Sequence, residues 1–206
     1  MLREESLAAV SATGFVGVIP TTNAPPQNVR AAADWYLARA SSGDPAAQYE
    51  IAVRYAEGRG VAKDYTRAAA WFREAAINGV AAAQYDLGIL YDKGLGLARD
   101  PIEAVIWYQS AADQNQPLAQ AKLGMVYLAG GAVPRNSEEA VRWLRRAAEQ
   151  GVPNAQAALA GLYEQGDGVA RSNKSAYGWY SLAANAGLAR AAFARTRGAR
   201  TSGGAV

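Results

Sequence analysis

The sequence predicts an all-α chain, a right-handed α-solenoid of antiparallel helix pairs with a 36-residue period. Three observations predict it. The pattern Ala47-Gln48, Tyr55, Gly58, Gly60, Ala68, Trp71, Ala75-Ala76 returns 36 residues later as Ala83-Gln84, Tyr91, Gly94, Gly96, Ala104, Trp107, Ala111-Ala112. It returns twice more, from Ala119 to Ala148 and from Ala155 to Ala184, without a slip in spacing. Half of the 206 residues are hydrophobic, with alanine abundant and only 19% charged, a composition that suits close-packed helices and argues against disorder. A fixed period of 20 to 50 residues marks an array in which one supersecondary unit is stacked on copies of itself.

Residues 1–29 stand outside the period and read as a flexible leader or a linker from a longer chain. Leu7 to Ile19 is apolar but interrupted by Ser11, Thr13, Gly14 and Gly17. It is short of the roughly 20 apolar residues of a membrane-spanning helix. A secretory signal would start with positive charge, whereas Arg3 is followed by Glu4 and Glu5; the small-residue site Thr22-Asn23-Ala24 runs into Pro25-Pro26.

Residues 30–43 carry the period at half strength. Trp35, Tyr36, Ala40 and Gly43 precede Trp71, Phe72, Ala76 and Gly79 by 36 residues, so Ala31 to Ser42 reads as a lone second helix serving as an N-terminal half-repeat cap.

Four full units follow over 44–187, as 44–79, 80–115, 116–151 and 152–187. Each opens with a helix, and in three of them proline stands at the first turn (Pro45, Pro117, Pro153), where its missing N–H goes unmissed. Ala47, Ile51, Ala52 and Tyr55 fall at helical spacing and share one face. Gly58, Gly94, Gly130 and Gly166 end these helices, because a left-handed terminal residue is cheapest as glycine. The link then brings a hydrophobic tether, a basic residue and an N-capping residue: Asp64, Asp100, Asn136 or Ser172. Glu103 and Glu139 complete a capping-box pattern.

The second helix pairs one indole with several alanines. Alanine lets backbones approach and the ring fills the remaining space, so Trp71, Trp107, Trp143 and Trp179 are expected in the core with Tyr55, Tyr91, Tyr127 and Tyr163. In the third unit Ala132 replaces the second link glycine, which predicts an altered link. Gln48, Gln84, Gln120 and Gln156 recur in phase, and a repeated hydrogen bond to the backbone of an adjoining helix or link is expected of them. Residues 188–200 begin a fifth unit in which Arg195 stands at the Ile51 position and Arg197 at the Val53 position. That basic stripe predicts a C-terminal capping helix, followed by the tail 201–206.

Several functions are excluded by composition. Cysteine and histidine are absent, which removes disulfides, Cys/His zinc sites, thiol nucleophiles and histidine-based dyads. The formal charge of +3 is spread along the chain, without the concentrated basic footprint of a nucleic-acid binder. The glycine pairs lack the third glycine and preceding strand of a phosphate cradle. Glu138-Glu139 complements a helix dipole, and Asp64 and Asp100 are caps. No catalytic residue, metal ligand or cofactor is expected, and the chain reads as a non-enzyme.

At this point the run Leu87-Gly88, Tyr91, Gly94, Gly96-Leu97, Asp100, Ala104, Trp107-Tyr108, Ala111-Ala112 resembles the Sel1-like repeat, a relative of the tetratricopeptide repeat with a longer glycine-containing link. The resemblance covers Arg30 to about Arg197. More narrowly, Gly43 to Ala52 with Gly60-Val61 is similar to the repeat region of bacterial polar-localisation factors, which tilts the expected setting toward the bacterial periplasm or envelope over the cytoplasm.

The resemblance implies a scaffold or adaptor that binds a protein or peptide on the concave face lined by the first helices, with no direct membrane insertion by this chain. Carried over by register, the groove positions are Tyr49, Val53, Ala56 and Glu57, then Tyr85, Ile89, Asp92 and Lys93. In the third unit they are Leu118, Ala121, Met125 and Leu128, and in the fourth Asn154, Ala157, Gly161, Glu164 and Gln165. They vary between units while the core does not, as a recognition face would; the competing reading is that some pack against the next first helix. The alternative function is a cell-envelope or cell-wall associated repeat protein with a structural, localisation or hydrolytic role. Hydrolysis is disfavoured because a Ser-x-x-Lys motif is absent. The oligomeric state is left open.

Overall fold

The computed structural model describes residues 24–188 and Ala191. The expected capping helix at 188–200 and the tail 201–206 therefore lie outside the described residues, apart from Leu188 and Ala191, as does most of the leader. Among the described residues nine helices of 13 residues follow one another without strands. They are α1 (Val29–Ser41), α2 (Pro45–Glu57), α3 (Tyr65–Ile77), α4 (Ala81–Lys93), α5 (Pro101–Asp113), α6 (Pro117–Ala129), α7 (Ser137–Glu149), α8 (Pro153–Gln165) and α9 (Asn173–Asn185). The chain forms two compact units, one up to Trp107 and one from Tyr108.

Helix ends are set locally. Asn28 Oδ1 accepts from the N–H groups of Arg30 and Ala31, and Asp64 Oδ1 accepts from Thr66 and Arg67, all within 3.0 Å. Asp44 caps α2 through Ala46 and Ala47 and also takes the Arg39 guanidinium at 2.9 Å. Burial pushes the Asp44 carboxyl up, but the bonds from Arg39, Ala47 and Ala46 outweigh it and hold the group below the usual carboxylate range. Asp100, Asn136 and Ser172 cap α5, α7 and α9. Of the two capping boxes, that at Asn136 forms in one direction: Asn136 Oδ1 accepts from Glu139 N, while the Glu139 carboxylate meets Arg142. Asn115 closes α5 at a φ of 62°, a left-handed conformation that asparagine tolerates.

Each link closes by one repeated bond, in which the capping residue's N–H donates to the carbonyl of the repeat tyrosine. Asp64 to Tyr55, Asp100 to Tyr91, Asn136 to Tyr127 and Ser172 to Tyr163 all measure 2.9 Å. The two link glycines have different tasks. Gly58, Gly94 and Gly166 are left-handed helix caps. Gly60 combines a φ of 78° with a close approach: a Cβ there would lie 2.2 Å from Val29 O at the start of α1. Gly168 lies against the start of α7 in the same way, its Cβ position 2.4 Å from Ser137 O. Where Ala132 replaces this second glycine, the link takes another path, with Gly130 at ψ −163° and Gly131 at φ 97°. Its closing bond is kept.

In the first unit α1 packs on α2, α2 on α3 and α3 on α4. Their core joins Ala47, Ile51, Ala52 and Tyr55 to Ala68, Trp71, Phe72, Ala75 and Ala76, and to Ala83, Leu87 and Leu90. In the second unit α6 packs on α7, α7 on α8 and α8 on α9. Val141, Leu144, Ala147 and Ala148 there meet Ala155, Leu159 and Leu162.

The ring core expected to be uniform divides into buried and half-buried members. Trp71 and Trp143 are buried, whereas Trp107 and Trp179 are half-buried. The deeper position is the next one, filled by Phe72, Tyr108 and Leu144 at 3%, 1% and 0% exposure. Indole is large enough that full enclosure is uncommon even in a core. Of the tyrosines, Tyr55 is buried, and Tyr91, Tyr127 and Tyr163 are half-buried. Tyr91 Oη accepts from Arg73 at 2.7 Å and Tyr163 Oη from Arg145 at 2.8 Å, which keeps these two ring tips near the surface. Full enclosure on the first helices belongs instead to Ile51, Leu87, Leu123 and Leu159, each at 0%.

Candidate functional site

The first helices carry two kinds of position. One is the recurring pair Ala47-Gln48, Ala83-Gln84, Ala119-Gln120 and Ala155-Gln156, buried in every repeat. Each glutamine Nε2 donates to a carbonyl at the end of the preceding helix: Gln48 to Ala40 at 3.4 Å, Gln84 to Ala76 at 3.1 Å, Gln120 to Ala112 at 3.2 Å and Gln156 to Ala148 at 3.1 Å. Each bond gives a second donor to a helix-end carbonyl that also accepts the backbone N–H three residues on, that of Gly43, Gly79, Asn115 or Gly151. The recurring residues are therefore occupied by structure.

The other kind is the set that differs from repeat to repeat. In the first unit Tyr49 and Val53 of α2 are half-buried and packed against the core, and Glu57 is exposed and paired with Arg59 at 2.6 Å. On α4, Tyr85, Ile89 and Asp92 are half-buried and Lys93 is exposed. The Asp92 carbonyl accepts from Arg99 Nε at 2.9 Å. In the second unit Leu118 and Met125 of α6 are nearly half exposed, at 47% and 49%, while Leu128 packs against the core. On α8, Glu164 accepts from Tyr180 Oη at 3.1 Å, and Gln165 is exposed. Ala157, expected on the ligand face, is instead buried beside Ala183 and Ala191, because its methyl meets the small residues of α9.

The structure brings one pair together that the sequence did not single out. Tyr49 Oη donates to Asp86 Oδ2 at 3.2 Å, joining α2 to α4, and the Tyr49 ring lies 5.8 Å from that of Phe72. Burial pushes the Asp86 carboxyl up to about 6, with the Tyr49 hydrogen bond opposing it. Burial and then the neighbouring Asp86 charge push the Tyr49 hydroxyl up to about 12, and the same two causes raise Tyr85. One signal in the sequence pointed to Asp86: its register is held by Glu50, Lys122 and Ala158 in the sister repeats, so it is a position of maximal chemical change.

A separate cleft of about 590 Å³ opens beside α1 and the α2–α3 link, lined by Arg30, Asp34, Tyr55, Lys63, Asp64 and Arg67 among others. Three of its polar groups are engaged with one another: Arg67 Nε pairs with Asp64 at 3.4 Å and its guanidinium lies 5.5 Å from the Tyr55 ring centroid. Among the described residues no group of three or more acidic, histidine or cysteine side chains could hold a metal ion. No helix there is long and apolar enough to cross a membrane.

Paired helices in 36-residue steps, glycine links closed by one recurring bond and a variable first-helix face define an α-helical solenoid repeat protein. The Sel1 repeat model matches residues 45–80, 81–116, 117–152 and 153–188, and the chain belongs to that family. It is similar to a protective antigen present in uropathogenic Escherichia coli strains, with 35% identity and a TM-score of 0.79. That match covers 82% of this chain and 36% of the antigen, so this chain spans about a third of its length. A Sel1 repeat protein from Oxalobacter formigenes is 33% identical, with a TM-score of 0.75 over 80% of this chain and 67% of that one. The immunity protein Pa5087 from Pseudomonas aeruginosa shares the fold at 22% identity, with a TM-score of 0.53 over 93% of this chain and 69% of that one. No curated protein matches the chain. Sel1 repeat proteins in general mediate protein–protein interaction and act as non-catalytic scaffolds.

Proposed function

We propose that this protein is a non-enzymatic scaffold or adaptor that binds a peptide or protein segment on the face carried by its first helices, the concave face of the solenoid. The observation that carries the reading is the contrast within those helices. The pair Ala-Gln is buried and hydrogen-bonded in all four repeats, while beside it one register holds Val53, Ile89, Met125 and Gly161, none of them fully buried. Packing alone would favour like residues in like places, so variation at these accessible positions beside the constant pair supports recognition of a ligand there. α1 acts here as the N-terminal cap of the array, its Ala33 and Ala40 closing the core of the first unit.

The test is a peptide array probed with the wild-type chain and with Tyr85→Ala combined with Met125→Ala. Loss of most bound spots at unchanged helicity supports the first-helix face; an identical pattern for both proteins overturns it. A setting at the bacterial periplasm or envelope is proposed on the similarity of Gly43 to Ala52 with Gly60-Val61 to the repeat region of bacterial polar-localisation factors. Fractionation of the native organism tests that, and recovery in the cytoplasmic fraction alone rejects it.

A further inference from the structure

Asp86 is a half-buried carboxylate whose one side-chain hydrogen-bond donor among the described residues is a phenol. Among the described residues it forms no ion pair, although the chain carries three more basic than acidic side chains. An ionised carboxylate offers two oxygens and about four acceptor sites, and Tyr49 fills one of them. Taking such a charge out of water without a cation is unfavourable. The neighbourhood does not relieve it, since the charges acting on Tyr49 beside it are Asp86, Glu50 and Glu57, all negative. By contrast, the half-buried Asp44 in the same unit is paired with Arg39 at 2.9 Å. The raised affinity of Asp86 for protons is the response of a carboxylate that lacks a positive partner in the free protein.

We propose that this face of the first unit receives the Lys or Arg side chain of a basic peptide segment, with the Asp86 carboxylate as its counter-ion and Tyr49 holding that carboxylate in place. The inference rests on the first-helix face being the binding face and adds the chemistry of the partner. Charge complementarity selects the occupant: an acidic segment would meet Asp86, Glu50 and Glu57, and an apolar one would bury Asp86 further without neutralising it. A cation from the partner supplies what the folded chain withholds. Glu57, already paired with Arg59 at 2.6 Å, contributes field without being the anchor.

The experiment uses the whole chain and four sublibraries of end-blocked decapeptides, fixed at one position as Lys, Arg, Glu or Leu, with binding read by fluorescence polarisation at pH 7.5 and low salt. The Lys and Arg sublibraries are expected to bind at least tenfold more tightly than Glu or Leu. Asp86→Asn should reduce that preference below threefold while its melting temperature is unchanged or higher, which separates loss of a counter-ion from loss of fold. Tyr49→Phe, which keeps the carboxylate, should retain a preference for the basic sublibraries. A wild-type chain that binds all four sublibraries equally, or an Asp86→Asn variant that keeps the full preference, overturns the inference and leaves the peptide-binding face standing. Absence of binding to every sublibrary overturns both.

Discussion

Gln150 Nε2 donates to Gln120 Oε1 at 2.7 Å, so that the buried Gln120 amide is satisfied at both ends, by Gln150 and by the Ala112 carbonyl. Asn78 serves Gln48 in the same way at 3.0 Å, again from a position 30 residues later. The position 30 residues after Gln156 is Ala186, and Gln156 Oε1 is buried without a donor among the described residues. The ladder of amides thus lacks its last rung.

Supplying that rung should stabilise the protein. Ala186 has φ −80° and ψ 10°, close to the −82° and 7° of Gln150, so Ala186→Gln needs no backbone change. A gain of about 0.5–1.5 kcal/mol is expected from the new bond. Gln120→Leu should cost about 1–3 kcal/mol, because the Ala112 carbonyl and Gln150 amide both lose a partner. Urea denaturation of the two variants measures both.

The second link glycine should be far less replaceable than a helix-terminal glycine in open space. Gly60→Ala and Gly168→Ala place a methyl against the backbone of a helix start at positive φ, with an expected cost of about 2–4 kcal/mol. Gly79→Ala, at a φ of 85° with nothing within 4 Å, should cost about 1 kcal/mol from backbone strain alone. Thermal unfolding followed by circular dichroism gives the order, and equal losses would remove the role assigned to the close approach.

Asp86 should make the free protein less stable at neutral pH than in mild acid. Its carboxyl titrates at about 6 in the folded chain against an ordinary value of 3.8, so the folded state binds the proton more tightly. The stability this confers is complete below the unfolded value and is lost as the pH rises from about 4 through about 6. Asp86→Asn should therefore match the wild type near pH 4 and exceed it by about 1–3 kcal/mol at pH 7.5. Chemical denaturation at both pH values checks this. A variant less stable than the wild type at pH 7.5 would mean that the charged carboxylate is structural.

The tryptophans should separate by burial despite their common phase. Trp71→Ala and Trp143→Ala empty enclosed sites and should cost about 3–5 kcal/mol. Trp179→Ala, at a half-buried ring, should cost about half as much. Denaturant titrations of the three variants read the difference.

What could be read from the chain alone was whatever depends on neighbours a few residues apart or on strict repetition. Asp44, Asp64 and Asp100 cap helices because their side chains meet N–H groups two and three residues on, and Gly58 ends a helix because its own φ must be positive. The 36-residue period then implied that one helix pair recurs four times. The tertiary structure alone decided how deeply each repeated ring is enclosed, what the second link glycine lies against, and which unlike residues meet. Tyr49 and Asp86 are 37 residues apart and come together only when packing on α3 brings α2 and α4 within side-chain reach. Periodicity shows that two positions are equivalent, but burial and charge pairing depend on the side chains that stacking brings from other helices, and those need not repeat.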